Sequence, residues 1–256
     1  MVSAKIFLGS GTFSTCHLTL YREILVAVKE FKSRQSRSDK EVKHKVLNEA
    51  QMISHFCDHR GLPLLFGVIT KSTPFCLLTQ FHGNKIQSLK LYKAMKRLEL
   101  DKPYWLHNLR GIIEALSHVH SKDILDNDLK SNNVLLQKCG KDWNPVIIDF
   151  GKACFISNLK TLASLSVSAQ EQYLHSYSQI TLEIVCGEGW QSVQLDVFSV
   201  GRIALAILLP TATALSLKAG KQDIIDNPVK WPSLENFCCT IDTSFRFFLF
   251  SWETRY

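Results

Sequence analysis

A chain of 256 residues, 46% of them hydrophobic, is long enough to bury a sizeable core as one or two lobes. Its net charge of +7 is mildly basic and carries no Lys/Arg stripe, which sets nucleic-acid binding aside and suits polyanionic nucleotides. Cysteines at 16, 57, 76, 139, 154, 186, 238 and 239 form no C-x-x-C pair, so reduced thiols in a cytoplasmic protein are expected rather than a zinc site or a disulfide framework. A single early lysine precedes Gly9, too soon for the apolar stretch of a signal peptide.

Three short strands are expected at roughly 5–9, 15–20 and 24–31, around the segment Leu8-Gly-Ser-Gly-Thr-Phe-Ser14. Gly9 and Gly11 let the backbone bend closely over phosphates without Cβ obstruction, although such a segment alone also reads as an ordinary hairpin turn. The strand Val26-Ala-Val-Lys29 ends on a lysine eighteen residues after Gly11. Residues 32–40 form a polar, charged loop. From Glu41 the positions Val42, Val46, Leu47, Ala50, Ile53 and Phe56 make a helical stripe, and Glu49 lies on the same helix. Strands follow near Leu64–Ile69 and Phe75–Gln80, leading into Thr79-Gln-Phe-His82.

From about residue 84 the chain reads as mainly helical. Trp105–His120 places Leu106, Leu109, Ile112, Ile113, Leu116 and Val119 at helical spacing. Next comes Asp128-Leu-Lys-Ser-Asn-Asn133, and sixteen residues after Asn133, behind the apolar Val146-Ile-Ile148, stands Asp149-Phe-Gly151. Two carboxylates, a lysine and an amide at these offsets are what phosphoryl transfer needs: one group to orient the attacking hydroxyl, one cation, and two metal ligands. A Ser/Thr/Tyr-rich stretch, 152–180, runs to Thr181-Leu-Glu183, and Asp196-Val-Phe-Ser-Val-Gly201 opens another helix. The apolar run 203–217 is shorter than the ~20 residues that span a bilayer and is broken by Pro210, so a buried helix is expected and no membrane span.

Asp-x-x-x-x-Asn followed by Asp-Phe-Gly resembles the protein kinase superfamily. The resemblance runs from about residue 5 to residue 246. It implies an α+β, bilobal fold: a small β-rich N-lobe over about 1–80, a hinge at 80–83, a mainly helical C-lobe over about 84–246 and an atypical tail at 247–256. It implies Mg-ATP in the interlobe cleft, beneath Leu8, Gly9, Ser10 and Gly11, with Cys16, Ala27 and Leu135 against the adenine. Thr79 takes the gatekeeper position, and backbone groups of Gln80, Phe81 and His82 would hydrogen-bond the adenine edge. Lys29, clamped by Glu49, would hold the α- and β-phosphates; Asn133 and Asp149 would hold Mg2+; Asp128 would orient the hydroxyl and Lys130 neutralise the γ-phosphate. Glu49 on its own reads equally as a surface carboxylate, and Asp196 as a plain N-cap. Glu183 and Arg246 resemble a structural ion pair, Arg246 with an alternative reading as a surface residue. Lys130 two places after Asp128 is the serine/threonine pattern, and Leu-Lys-Ser-Asn-Asn-Val-Leu-Leu resembles the tyrosine-kinase-like group. A protein substrate is implied over a small alcohol.

Three departures accompany the resemblance. The usual His-Arg-Asp reads Asp126-Asn127-Asp128. Asn127 removes the arginine that holds a phosphorylated loop. Asp126 puts a carboxylate in a partly buried place, where it needs a partner or takes a proton. Thr181-Leu182 replaces Ala-Pro, and after Phe245-Arg246 the chain runs through an aromatic tail to Tyr256 where the family carries a closing helix, the pattern expected of a truncated product. A pseudokinase or nucleotide-binding scaffold is the alternative reading. Ser164, Ser166, Ser168 and Tyr173 are candidate phosphorylation sites.

Overall fold

The computed structural model describes residues 5–32, 38–56, 59–98, 100–158 and 191–208. The chain divides into two units, residues 1–208 and 209–256, and the description below concerns the first. The expectations for Ser164, Ser166, Ser168, Tyr173, Thr181, Leu182, Glu183, Arg246 and the tail lie outside the described residues, as does the part of the apolar run beyond residue 208.

The first eighty residues build an antiparallel sheet of five strands: β1 (Ile6–Ser10), β2 (Ser14–Tyr21), β3 (Ile24–Phe31), β4 (Leu65–Ile69) and β5 (Cys76–Gln80), in the order β1-β2-β3-β5-β4. Strands β2 and β3 are joined by Arg22 and Glu23, both left-handed (φ 49° and 67°), as a twist-matched two-residue hairpin requires. The alternation of β3 buries Val26 and Val28 on one face and leaves Ala27 and Lys29 on the other. Register places Cys16 and Leu77 opposite Lys29, and Leu18 and Thr79 opposite Ala27. One face of the sheet therefore collects a lysine and small or apolar neighbours.

Helix α1 (Asp39–Ser54) packs on β4 and β5. It starts two residues before the expected Glu41 because Ser38 and Glu41 form a capping box: Glu41 N–H donates to Ser38 Oγ at 3.3 Å, and Ser38 N–H to Glu41 Oε2 at 2.9 Å. Its buried face carries Val42, Val46, Glu49, Ala50, Met52 and Ile53. Leu47, expected in that stripe, is exposed, since it lies about 100° round the helix from Val46.

The remainder, among the described residues, is mainly helical. Helices α2 (Leu91–Arg97) and α3 (Lys102–His120) flank a second sheet, β6 (Leu89–Lys90), β8 (Val134–Cys139) and β9 (Asp142–Ile147), ordered β6-β8-β9, and α4 (Val193–Leu208) packs on α3. A short β7 (Ile124–Leu125) pairs with β10 (Cys154–Phe155). The β8–β9 hairpin stands within an otherwise mainly helical stretch, as expected. It turns at Gly140, whose φ of 60° suits glycine. Helix α4 begins ten residues before the expected apolar run at 203 and takes in Asp196. Among the described residues no helix is long and apolar enough to cross a membrane.

Gly111, in the middle of α3, is a packing requirement. A Cβ there would lie 2.7 Å from Cγ and 3.1 Å from Cδ of Pro145 in β9. The proline is tolerated because β9 is the edge of its sheet. In an isolated helix Gly→Ala gains about 1 kcal/mol. Here Gly111→Ala is expected instead to destabilise by about 1–3 kcal/mol, because a rigid ring meets the new methyl. Chemical denaturation checks this; a variant more stable than the parent would contradict the packing.

Candidate active site

An open cleft lies where the first sheet meets β8. Leu8, Gly9, Ser10 and Gly11 line it from β1 and the turn, Cys16 and Ala27 from β2 and β3, and Leu135 from β8. Thr79, Gln80, Phe81 and His82 line it from the end of β5. All twelve residues expected around a nucleotide, Lys29 included, thus share one cavity with Glu49, Asn133 and Asp149. Asp128 and Lys130 are not on its wall.

Gly11 N–H donates to Ser14 O at 2.8 Å, closing the turn with serine where a third glycine is usual. A Cβ on Gly9 would meet nothing within 4 Å, and one on Gly11 only Ser14 at 4.0 Å. The protein's own packing does not demand glycine at either place, so these positions leave room over the cleft. At its far side Gln80 N–H is already bonded to Leu64 O at 2.8 Å. This narrows the expected adenine-facing edge to the Gln80 carbonyl and the Phe81–His82 backbone. The buried His82 ring pairs with Gln137 Oε1 at 2.8 Å, and burial pulls its pKa down. Burial pushes the Cys16 thiol up to about 11.

Lys29 is the electrostatic centre of the cleft. Its Nζ donates to Glu49 Oε1 and Oε2 at 2.7 and 2.8 Å and to Asp149 Oδ1 at 2.6 Å. Burial works against its charge, but the two carboxylates outweigh it and hold the ammonium above its ordinary pKa. Asp149 is also opposed by burial, yet Lys29 pulls it below the usual carboxylate range. Burial lifts the Glu49 pKa, and the ammonium at 2.7 Å opposes that lift. Glu49, 2% exposed, is therefore the buried clamp and not a surface carboxylate.

The β8–β9 hairpin explains the sixteen-residue spacing. Val134 pairs with Ile147, and Ile148 N–H donates to Asn133 O at 2.8 Å, so two strands and a tight turn bring Asn133 beside the residue before Asp149. Asp149 is left-handed (φ 71°), and Phe150, fully buried, packs on Phe56 beyond α1 with ring centroids 4.7 Å apart.

Asp128, 7% exposed, has its Oδ2 bonded by Lys130 Nζ at 2.6 Å and Asn133 Nδ2 at 3.3 Å, and its Oδ1 by Lys152 Nζ at 2.9 Å. Asn133 Nδ2 also donates to Asp128 O at 3.0 Å, which directs its own Oδ1 elsewhere. One amide oxygen and one carboxylate are a hard, oxygen-only donor pair, fitting Mg2+ that completes its shell with phosphate and water. Among the described residues no cluster of three His, Cys, Asp or Glu could hold a metal by itself.

Beneath this loop lies a buried frame. Asp196, fully buried at the start of α4, accepts the N–H groups of Asp126 and Asn127 at 2.8 and 2.9 Å and pairs with His120 Nε2 at 2.9 Å. It acts as a brace and not merely as a cap. Asn127 is left-handed (φ 61°), which asparagine tolerates, and its Nδ2 donates to Lys152 O at 3.3 Å. Asp126 is 1% exposed; its Oδ1 accepts Asp128 N–H at 2.9 Å, and Oδ2 has no partner among the described residues. Burial first, then the neighbouring Asp196, raises its pKa well above the carboxylate range.

His120 and Lys152 are the site residues that sequence reading missed. A helix-end histidine has no pattern to mark it, and Lys152 was visible only as the residue after Asp-Phe-Gly.

Asp126 yields a pH prediction. The carboxyl has a raised pKa in the fold, above its value of about 4 in the unfolded chain. Stability is then full below that value and declines as pH rises toward the raised folded pKa. Asp126→Asn should remove this component, so that melting temperature depends less on pH above pH 4. An unchanged slope in thermal melts across pH would contradict a raised pKa at Asp126.

The protein kinase domain family matches residues 3–239. A G-type lectin S-receptor-like serine/threonine-protein kinase of Arabidopsis thaliana is 28% identical over 227 residues, covering 78% of this chain and 26% of its own length. Cysteine-rich receptor-like protein kinase 24 of the same organism is 28% identical over 205 residues, covering 78% of this chain and 30% of itself. A probable serine/threonine-protein kinase of Dictyostelium discoideum is 25% identical over 198 residues, 71% of this chain and 14% of its own. The chain thus spans less than a third of the length of these relatives. With 3–239 of its residues matched, and the ordered site those residues build, the chain belongs to the protein kinase domain family.

Proposed function

We propose that the chain is a serine/threonine protein kinase that binds Mg-ATP in the cleft and transfers the γ-phosphate to hydroxyl groups of a protein. The observation that carries this reading is the ion cluster Lys29–Glu49–Asp149, which shares a cleft with Asn133, next to Asp128 and Lys130. Family membership supports it, as do the relatives whose names carry serine/threonine activity. The four described cysteines are free thiols, which supports a reducing, cytoplasmic setting.

In this reading the backbone of the Gly9–Gly11 turn covers the phosphates, and Lys29, fixed by Glu49, grips them. Asn133 Oδ1 and Asp149 would hold magnesium, which when bound neutralises charge on the phosphate oxygens. Asp128 takes the hydrogen bond of the acceptor hydroxyl and then its proton. Lys130, 2.6 Å from Asp128, sets the carboxylate's orientation and adds a positive charge beside it. Little covalent work falls to the protein, so positioning decides the rate.

A second reading, a nucleotide-binding scaffold without turnover, is favoured by one observation: Asp126 lies buried in bonding contact with the Asp128 backbone. The two readings part in a transfer assay with radiolabelled ATP, Mg2+ and a generic basic protein. The parent chain is expected to incorporate label, with Lys29→Met and Asp149→Asn lowering the rate at least about a hundredfold. Equal incorporation by either variant would overturn the assignment. No incorporation by a folded parent that binds Mg-ATP, with a large gain in Asp126→His, would favour the scaffold reading.

A further inference from the structure

The turn between β1 and β2 carries glycine at 9 and 11, and no residue has more backbone freedom to lose. A turn that lies over phosphates needs something to hold it. Two ties are internal: Gly11 N–H and Ser10 Oγ both donate to Ser14 O, at 2.8 and 3.4 Å. Others come from outside the turn. Lys32 directly follows β3, whose last residue, Phe31, is buried and pinned by its N–H to Phe75 O at 2.9 Å. From that anchor Lys32 N–H donates to Phe13 O at 2.9 Å. Its Nζ donates to Ser10 Oγ at 2.8 Å and to Gly11 O at 3.3 Å. One lysine thus holds the turn on both sides of its tip. Lys45 of α1 adds a contact from elsewhere, its ammonium 5.3 Å from the centre of the Phe13 ring.

The atoms that Lys32 holds belong to the cleft. Ser10 and Gly11 line it together with Gly9 and Ser14, whereas Lys32 is not on its wall. The lysine therefore acts on the cleft through the turn. Because the peptide is planar, a Gly11 carbonyl drawn to an ammonium also fixes the direction of the Thr12 N–H. The same bond keeps the negative end of that peptide turned to a cation and off a phosphate. Lys32 follows Lys29 by three residues, so the ammonium of the cleft and the clasp on the turn ride on one strand and its exit.

We propose that Lys32 is a positioning residue for the nucleotide phosphates: it clasps the glycine turn through Ser10 and Gly11 and touches no phosphate itself. The inference rests on the Mg-ATP reading above. Its effect belongs to the phosphate end of the ligand. A nucleoside held between Leu135 and the Phe81–His82 backbone does not depend on the clasp, and a nucleotide whose phosphates reach the turn does.

The test uses the whole chain. Calorimetric titration gives the affinities of adenosine, ADP and ATP, each with Mg2+, for the parent, Lys32→Met, Lys32→Arg, Ser10→Ala and the double variant Lys32→Met with Ser10→Ala. Amide hydrogen exchange across residues 9–14 is followed in the same samples without ligand. Methionine keeps the reach of the arm and removes the donor. Lys32→Met is expected to weaken ADP and ATP roughly fivefold, the scale of one exposed hydrogen bond from a charged donor. It should leave adenosine unchanged and speed exchange in the turn, and Lys32→Arg should restore most of both. In the Ser10→Ala background the same change should cost less, because one partner of the ammonium is already gone. An equal loss for adenosine and ATP would mark a lysine that serves only the fold and would overturn the proposal. Full additivity with Ser10→Ala would overturn it too, since that marks a lysine bound to the phosphate itself, and so would unchanged exchange in the turn. A folded parent that binds none of the three ligands, with exchange still dependent on Lys32, would uphold the clasp and overturn the Mg-ATP reading.

Discussion

One ammonium holds two carboxylates, the farther of them 120 positions away in the chain. Lys29 reaches Glu49 on α1 and Asp149 after β9, all within 2.8 Å. Carrying these charges out of water costs several kcal/mol per ion, and only close geometry offsets it. The surroundings supply that geometry. β3 brings Lys29 to the cleft face by strand alternation, α1 presents Glu49 from its buried side, and Phe150 against Phe56 ties the third partner to the end of α1. Removing Lys29 leaves the buried Glu49 without its counter-charge, and the cluster couples sheet, helix and hairpin.

A second buried frame stands under the catalytic loop. Asp196 gathers two backbone amides and His120 with no water needed. That arrangement fixes Asn127 in its left-handed conformation and so sets the direction in which Asp128 leaves the loop. Asp126 occupies the same interior, where burial raises its pKa, and its Oδ1 accepts the Asp128 amide. The loop keeps its internal hydrogen bonds despite the substitution. The consequence falls on the balance of charge, since an ionised Asp126 would stand beside Asp196 and Asp128.

Much of the cleft was legible in the sequence, for physical reasons. Strand β3 alternates across Val26, Ala27, Val28 and Lys29 because one face is buried, and α1 repeats its apolar positions at helical spacing, apart from the exposed Leu47. The start of α1 was signalled by Ser38 and Glu41, a capping box that outweighs the polar look of the preceding loop. The β8–β9 hairpin was not legible. Polar Gln137, Lys138, Asp142 and Asn144 interrupt its pattern, and Pro145 argues against a strand unless the strand is known to be an edge. Yet that hairpin is what brings Asn133 beside Ile148. Lys152 could not be read at all, because its role depends on a side chain crossing back to Asp128.

The central claim is that the Lys29–Glu49–Asp149 cluster, together with Asn133, forms a magnesium-dependent nucleotide site. Calorimetric titration of ATP into the whole chain, with and without Mg2+, tests it most directly. The account predicts binding that Mg2+ strengthens, with the Mg2+ dependence lost in Asp149→Asn. Absence of binding to a folded chain, or equal affinity with and without Mg2+, would contradict it.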